Sequence, residues 1–528
     1  MKVRPLIVLI VWLCTWLVVL TDASWTALWP SVVALVSVFL LNRSLSGLLI
    51  GASAGLILLA NGNPFNAFVS GFSDHLIPVL QSAWNLSVLI FTLLLGGFVA
   101  LLEKGGGIQA LMRKWFNNSE GNTKRRVQWG AYSLGLICFF DGLANSMLVG
   151  KSLAPMAKKA GVSRQKMAYI VDSTSSAVAC VAVISTWIAY QLSMIREGLL
   201  QVDAESTVQP FQLFLNSIPF NYYCWFTLIL LAVVISKDWN IGPMRRAEAD
   251  DANRGNKPTP EVESNGSALP ALIPLTFLII GLLIGLYGNG VEGSWFPLSL
   301  KKISDAYGNA DAALVLVCVS AAAGMLAYLL NVSGIRKLGE HASQVFGDGV
   351  LKLFNPVLIL ISAWVLSSTL RELDAVHVLS GMLNGNLPPS TFPALVFVTG
   401  ALISFSTGTS WGTMGILMPL ALPVALGFTD GAVIPLIHGT VAAVFSGAVF
   451  GDHCSPFSDT TIVSSISCGI EPMEHVRTQM PYALIAASLA ILIGFLPSGL
   501  GLTPYASLAL GVIVLFFLPT LLRGKIDS

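Results

Sequence analysis

Four aspartates each lie with small polar residues inside an otherwise apolar stretch of the sequence. An ionisable residue in a membrane-spanning segment costs about 2.5–3.5 kcal/mol to insert and by default marks a functional site. Hydroxyl and carboxylate oxygens are the ligands that hard cations prefer. The sequence therefore predicts an ion- and substrate-binding centre with two groups of residues. They are Asp141, Asn145, Ser146, Asp172, Ser173, Thr174 and Ser175 in the first half, and Thr407, Thr409, Ser410, Thr413, Asp452, Ser455, Asp459 and Thr460 in the second.

Three of these aspartates, Asp172, Asp452 and Asp459, are predicted to hold a transported cation, which the family resemblance given below implies to be sodium. Burial disfavours the charged form of a carboxylate, so such a group can hold a proton and release it when a cation arrives. Asp172 and Asp452 are expected to face each other from matching breaks in two halves of the chain. No catalytic residue is predicted, because neither an HExxH nor a GxSxG pattern occurs, and no cofactor is expected besides the transported cation and protons.

The composition requires these residues to sit in a membrane. Of 528 residues, 54% are hydrophobic and 11% are charged, whereas soluble domains carry about 25% charged residues. A net charge of +1 gives no general attraction to nucleic acid. The apolar runs are long enough to cross a bilayer, and they predict an all-α polytopic membrane protein with about twelve spans. The expected spans are 5–22, 26–41, 45–60, 84–102, 167–190, 216–236, 270–288, 312–331, 354–370, 433–468, 479–497 and 504–522.

Two further apolar stretches, about 128–157 and 392–427, have polar, glycine-rich middles. The interruptions read FFDGLANS (139–146) and FSTGTSWGT (405–413). Each arm is expected to be too short to cross alone, so both stretches are predicted to be re-entrant hairpins. Gly142, Gly408 and Gly412 are expected to permit tight turns at the tips, and Pro456 is expected to unwind the span that follows the second hairpin.

Lysine and arginine placement predicts the orientation, because cytoplasmic loops are enriched in these residues. With both termini in the cytoplasm of a bacterial inner membrane, most of the basic residues fall inside. The chain divides into a first half (1–236), a polar cytoplasmic linker (237–268) expected to be flexible, and a second half (269–528). Residues 1–24 are either a first span or a cleaved signal. The basic residues placed inside are Arg43, Arg113, Lys114, Lys124, Arg125, Arg126, Lys158, Lys159, Arg164, Lys166, Arg523 and Lys525.

The two halves share residues at similar spacing. The matched pairs are Gly55 with Gly324, Glu103 with Glu372, Pro155 with Pro423, and Asp172 with Asp452. The charge distribution reverses the direction of the second half, which predicts two inverted-topology repeats. Interrupted apolar segments at matching places in inverted halves indicate a transport site.

Four motifs carry a family resemblance: FFDGLANSMLVG (139–150), SRQKMAYIVDSTSS (163–176), GTSWGTMGILMPLALP (408–423) and GDHCSPFSDTTIVSS (451–465). They resemble those of the NhaC-type sodium/proton antiporters of the ion transporter superfamily. The resemblance implies two inverted repeats, each with a re-entrant hairpin and a broken helix, and an ion-handling centre that includes Asp141, Asp172, Asp452 and Asp459. Two departures are Gly142, where relatives often have a second acidic residue, and the lack of proline in VACVAVIS (178–185).

Three functions remain open. The first is a sodium/proton antiporter working by alternating access. The second is a proton- or sodium-coupled antiporter of an organic solute, whether a carboxylate, an amine or a drug. The third is a channel or a membrane-embedded enzyme, against which the inverted halves and the missing catalytic patterns argue. The expected partners are the transported cation, protons and membrane lipids, with a homodimer as an open alternative to a monomer.

Overall fold

The computed structural model describes residues 3–21, 23–41, 43–107, 110, 123–204, 207–253, 267–383 and 387–526. Every regular element in these ranges is a helix, so the predicted all-α class is confirmed. Arg113, Lys114 and linker residues 254–266 lie outside the described residues.

The first half and the start of the linker form thirteen of the helices named here. They are α1 (Val3–Val19), α2 (Trp29–Leu41), α3 (Ser44–Leu59), α4 (Pro64–Ser70), α5 (Ile77–Gln81), α6 (Ala83–Lys104), α7 (Thr123–Ile137), α8 (Gly142–Lys159), α9 (Arg164–Val181), α10 (Ile188–Leu200), α11 (Pro210–Ser217), α12 (Tyr222–Lys237) and α13 (Gly242–Asn253).

The second half continues in the same manner. Its helices are α14 (Leu269–Gly290), α15 (Leu300–Asn309), α16 (Ala312–Lys337), α17 (Ala342–Lys352), α18 (Phe354–Glu372), α19 (Ala375–Leu383), α20 (Phe392–Thr407), α21 (Ser410–Gly427), α22 (Pro435–Cys454), α23 (Asp459–Cys468), α24 (Pro472–Leu489), α25 (Leu496–Gly499) and α26 (Pro504–Ile526).

Within the described ranges, 9 helices are long and apolar enough to cross a membrane, or up to 11 if each of two bent pairs is one span. The predicted spans 167–190 and 433–468 are not among them, because each is broken and carries many polar residues. The two arms of the second hairpin, Pro389–Thr407 and Ser410–Gly427, do meet the test with 19 and 18 residues. Length alone therefore does not separate a hairpin from two crossings there, contrary to the expectation of short arms.

Four short interruptions organise the centre of the molecule. The first tip is residues 138–141, between α7 and α8, and the second tip is residues 408–409, between α20 and α21. The first break is residues 182–187, between α9 and α10, and the second break is residues 455–458, between α22 and α23. Both tips and the second break lie where the sequence predicts them.

The first break does not lie where it was predicted. Asp172, Ser173, Thr174 and Ser175 were expected to interrupt their span, but they lie inside the continuous helix α9. Their hydroxyls do not prevent helix formation, because a buried serine or threonine can bond to its own helix backbone, as Thr174 does with the Ile170 carbonyl. Asp172 is therefore in the middle of α9, whereas Asp452 is in the last turn of α22. The two aspartates do not occupy matching breaks.

Local sequence explains why a helix restarts after each tip. The Asp141 carboxylate accepts a hydrogen bond from the Ala144 backbone N–H at 2.6 Å, and the Thr409 hydroxyl accepts one from Gly412 at 3.1 Å. Both are N-caps, which satisfy backbone donors at a helix start. Of the three glycines expected to form turns, only Gly408 has a left-handed backbone, with φ +64°. Gly142 and Gly412 lie within the first turn of the helix that follows.

The helices α9 and α22 form the core. Every residue of α9 from Lys166 to Cys180 is buried, and so is nearly all of α22. A helix that is buried on all sides belongs at the centre of a bundle. Gly447 and Gly451, a GxxxG pair on α22, allow α20 to approach closely, since a Cβ at Gly451 would overlap the Ser404 side chain.

The halves interlock through reciprocal contacts. Helix α8 of the first hairpin packs against α23 of the second half, and α21 of the second hairpin packs against α10 of the first half. In the outer part, α3 packs against α18 as α6 packs against α16. The matched residues Gly55 and Gly324 lie in α3 and α16, and Glu103 and Glu372 lie in the last turns of α6 and α18.

The first part of the linker is ordered, although the sequence favoured a flexible connector. Residues Gly242–Asn253 form α13, which packs against α9 and α24. Met244 is fully buried, and the Glu248 carboxylate accepts the Ser163 backbone N–H at 2.8 Å and pairs with the Lys124 ammonium at 2.6 Å. One apolar anchor and one buried ion pair thus hold this segment on the helix ends.

Candidate ion-binding site

A cavity of about 640 Å³ lies where the tips and breaks converge. Helices α8, α10, α21 and α23 begin around it, and α22 ends there. Of the predicted site residues, seven line its wall. They are Asp141, Thr407, Thr409, Ser410, Asp452, Asp459 and Thr460.

The first tip is joined to the first break by a single residue. The Thr186 backbone N–H donates to the Phe140 carbonyl at 2.9 Å, and the Thr186 hydroxyl donates to the second carboxylate oxygen of Asp141, also at 2.9 Å. Asp141 is buried, and both of its oxygens are therefore hydrogen-bonded. Burial of Asp141 disfavours the ionised form of its carboxylate, and these two hydrogen bonds offset part of that effect.

The second tip contacts the second break through the opposite arrangement. Here the tip supplies the hydroxyl, because Ser410 donates to Asp452 Oδ2 at 3.2 Å, while Ser458 in the break donates to Oδ1 at 2.8 Å. The Thr461 hydroxyl donates to the Asp452 backbone carbonyl at 2.6 Å. Each half thus contributes one buried aspartate whose carboxylate bridges a tip and the break that follows it.

Asp459 differs from these two aspartates. It lies in the first turn of α23 and its side chain is exposed to the cavity. Within the described part of the chain, no hydrogen bond or ion pair involves its carboxylate. Asp459 is thus the carboxylate on the cavity wall that lacks a protein partner.

Asp172 is not on the cavity wall and belongs to a separate polar network. Its carboxylate accepts hydrogen bonds from the Ser464 hydroxyl at 3.2 Å and from Gln479 Nε2 at 2.7 Å. The ring of His475 approaches the same carboxylate at 3.3 Å, with both side chains fully buried. Asp172 thereby connects α9 to α23 and α24.

The same network includes His453, the residue that follows Asp452 in the sequence. Its two ring nitrogens lie 3.0 Å from the Ser176 hydroxyl and 2.9 Å from the Tyr223 hydroxyl, and its backbone carbonyl accepts Gln479 Nε2 at 2.9 Å. His453 is thus a buried histidine with partners on both sides of the ring, a structural role.

The remaining predicted residues lie behind the cavity wall. Asn145 donates to the Gly135 and Thr174 carbonyls, and the Ser175 hydroxyl donates to the Gly142 carbonyl. The Thr413 hydroxyl bonds to its own helix at Thr409. Among the described residues, the buried hydroxyls of Ser146 and Ser173 have no partner, and Ser455 is buried in the second break.

Several wall residues were not predicted as site residues. Thr186 could have been found from the polar pair Ser185–Thr186 in an apolar span, but Trp187, Trp411 and Phe457 carry no sequence signal that separates them from core aromatics. Arg43 also lines the cavity. Glu103, another wall residue, pairs with Lys352 at 3.8 Å, whereas its neighbour Lys104 pairs with Glu340.

The described residues contain no group of three or more histidine, cysteine, aspartate or glutamate side chains placed to hold a metal ion. Because Asp172 lies in its own network, the three aspartates predicted to hold sodium do not all line one site. A cation in the cavity would therefore depend on hydroxyl and carbonyl oxygens beside Asp141, Asp452 and Asp459.

The described helices include 9 that are long and apolar enough to cross a membrane, and a cavity lies where several helices are interrupted. This is the architecture of a multi-pass membrane protein. The sequence profile described as the Na+/H+ antiporter family matches residues 178–500. The chain belongs to this family, and the predicted resemblance is confirmed.

The chain is also similar to several individual proteins. An uncharacterised protein of Haemophilus influenzae is 30% identical over 92% of this chain and 94% of its own length. The malate-2H(+)/Na(+)-lactate antiporter of Bacillus subtilis is 34% identical over 29% of this chain and 32% of its own. The YdaH transporter of Alcanivorax borkumensis, a crystal structure, covers 87% of this chain and 90% of its own with a TM-score of 0.50 and 14% identity, a likeness of fold alone.

Proposed function

We propose that this antiporter exchanges sodium for protons by alternating access at the cavity between the tips and breaks. One observation carries the proposal: a single cavity brings together Asp141 from the first half with Ser410, Asp452 and Asp459 from the second. Interrupted helices from both halves, meeting around carboxylates, are the arrangement in which transporters bind small ions. The proposed ion ligands are Asp141, Asp452 and Asp459 with the hydroxyls beside them.

In this mechanism a proton and a sodium ion compete for the same carboxylates. A buried carboxylate that loses its proton needs another cation, because an isolated charge is costly in a low-dielectric interior. The site therefore changes the side of the membrane that it faces only while it holds a proton or sodium, and the two are exchanged without a separate proton pathway.

Alternating access would come from the two halves acting as inverted repeats. The reciprocal packing of α8 on α23 and of α21 on α10 supports a two-fold relation between the halves. We place both termini and the linker in the cytoplasm, with the chain in a bacterial inner membrane and its outer helices in contact with lipid. We leave a homodimer as a proposal for crosslinking to test.

Proteoliposomes with an imposed pH gradient test this function. Sodium, lithium and potassium are added in turn, and the collapse of the gradient is followed with a pH-sensitive dye. We expect sodium to collapse it, and a higher proton concentration to raise the apparent KM for sodium with little change in the maximal rate. A gradient that no alkali cation collapses would contradict the proposal, and a fall in the maximal rate alone would contradict direct competition.

A second candidate is exchange of an organic solute coupled to sodium or protons. The cavity volume of about 640 Å³ favours it, since pockets for small molecules measure about 300–1,000 Å³. The name of the Bacillus subtilis relative combines sodium, protons and organic acids. Counterflow of labelled solutes in the same proteoliposomes distinguishes this candidate from exchange of ions alone.

A further inference from the structure

Two opposite charges on the cavity wall have no partner among the residues that the structure describes. Arg43, directly before α3, and Asp459, in the first turn of α23, both line the cavity and are exposed to it. Within the described ranges, neither side chain has a hydrogen-bond or ion-pair partner, and the two do not pair with each other. An unpaired guanidinium and an unpaired carboxylate thus share one cavity.

Each of the other charged groups on the wall already has a hydrogen-bond or ion-pair partner within the protein. Asp141 accepts hydrogen bonds from Ala144 and Thr186. Asp452 accepts them from Ser410 and Ser458, and the remaining pair, Glu103 and Lys352, lies 3.8 Å apart. Among the described residues, the charged groups on the wall without a protein partner are therefore one cation and one anion.

A sodium ion alone would fill little of the cavity and would leave the Arg43 guanidinium without a counter-charge. Each water molecule takes up about 30 Å³ of liquid, so a cavity of about 640 Å³ has room for far more than one ion and its first hydration shell. The wall also includes Trp187, Trp411 and Phe457. Such aromatic side chains favour contact with the apolar part of an organic molecule.

We propose that the cavity binds a zwitterionic solute of amino-acid type, with its ammonium group at Asp459 and its carboxylate at Arg43. Arginine suits this role because its planar guanidinium forms bidentate hydrogen bonds with a carboxylate. The inference rests on the proposed antiport function and names an organic cargo for the same site. Sodium would then occupy the carboxylates Asp141 and Asp452 while the solute spans the cavity.

Ligand-induced thermal stabilisation of the purified full-length protein tests binding without requiring transport. Each of the standard amino acids is added in the presence of sodium, and the strongest binder is compared with the amine that lacks its carboxylate and with the acid that lacks its amino group. We expect the amino acid to raise the melting temperature and each fragment to bind at least tenfold more weakly. A melting temperature that no amino acid shifts, or a fragment that binds as well as the amino acid, would overturn the proposal.

Two variants locate the site. Arg43→Gln should lose the preference for the amino acid over the amine, and Asp459→Asn should lose the preference over the acid, each with a tenfold or greater loss of affinity. Lys104→Gln and Asp430→Asn are the matched controls, because neither residue lines the cavity. Unchanged affinity in both site variants would place binding elsewhere and reject the proposal.

Sodium/proton exchange without amino acid is measured in the same preparations, so the two proposals can fail separately. If sodium/proton exchange is observed but no amino acid binds, only the proposed organic cargo is rejected. If an amino acid binds but no sodium/proton exchange is observed, the amino-acid site stands and the proposed sodium/proton exchange is rejected.

Discussion

Two buried aspartates that look alike in the sequence have different surroundings in the structure. Asp452 lies on the cavity wall, where its carboxylate accepts two hydroxyl hydrogen bonds from flanking interruptions. Asp172 lies inside a helical core and faces Ser464, Gln479 and His475. The first environment can admit an ion from solution, whereas the second is closed by protein. We therefore expect the two residues to have separable roles.

Replacing Asp452 should remove exchange without unfolding the protein. Asp452→Asn keeps the size of the side chain and can still accept a hydroxyl hydrogen bond, but it cannot balance the charge of a cation. We expect sodium/proton exchange in proteoliposomes to fall at least tenfold, with a melting temperature close to wild type. Exchange at the wild-type rate would show that the ion-coupling carboxylate is another residue, with Asp141 next to be tested.

Replacing Asp172 should lower the stability of the protein more than replacing Asp452 does. Asp172→Asn removes the negative charge and replaces one of the two accepting oxygens with an NH2 group, which cannot accept the hydrogen bond that Ser464 or Gln479 donates there. A buried donor left without its acceptor costs about 1–3 kcal/mol, and the Gln479 amide cannot rotate to another acceptor as freely as the hydroxyls at Asp452, so the melting temperature in detergent should fall below that of Asp452→Asn. Equal melting temperatures would indicate that the Asp172 network does not hold α9, α23 and α24 together.

At the scale of the elements, the first break contacts the first tip through Thr186. Among the described residues, every hydrogen bond between these two segments is made by this threonine. The threonine uses its backbone N–H for the Phe140 carbonyl and its hydroxyl for Asp141. A change at this one side chain should therefore alter the cation site while the backbone contact remains.

Thr186→Val keeps the shape of the side chain and removes only its hydroxyl. A hydrogen bond to a charged group contributes about 1.5–3 kcal/mol, and about 1.4 kcal/mol is a factor of ten in affinity. We expect the apparent KM for sodium to rise about tenfold. Thr440→Val is the control, because among the described residues the buried Thr440 hydroxyl bonds only to its own helix, at the Leu436 carbonyl. An equal rise in the apparent KM of Thr440→Val would refute a specific role for Thr186.

The linker helix α13 gives a second test at this scale. Glu248 is buried between Ser163 and Lys124, whereas Asp250 on the same helix is exposed. Glu248→Ala should release α13 and speed cleavage by trypsin after Arg245 and Arg246, as followed by gel electrophoresis. Asp250→Ala should be cleaved at the wild-type rate. Equal cleavage of both variants would mean that this ion pair does not hold the helix.

For the whole molecule, the proposed inverted halves require that each loop lie on one defined side of the membrane. In a cysteine-free background, a cysteine at Asp250 in α13 should react with an impermeant thiol reagent only from the cytoplasm. One at Val202, which is 39% exposed just after α10, should react only from outside. Labelling of both positions from the same face would exclude the proposed topology.

The sequence by itself determined the class of this protein and most of its elements. Long apolar runs can only be helices in a bilayer, because every backbone hydrogen bond must be satisfied internally, so the all-α class followed from composition. The second tip and second break were also predictable, since glycine and proline change the backbone locally at Gly408 and Pro456. The family followed from motifs at these interruptions.

Only the tertiary structure decided which polar residues share a site. The first break contains neither proline nor glycine, so its position at 182–187 had no local signal. The polar run from Asp172 to Ser175 looked like an interruption but forms a helix, because neighbouring helices supply the partners of its side chains. Whether an aspartate faces a cavity or a histidine depends on residues hundreds of positions away, such as Ser464, Gln479 and His475 for Asp172. Periodicity and spacing report local conformation, and contacts across the two halves are not encoded in them.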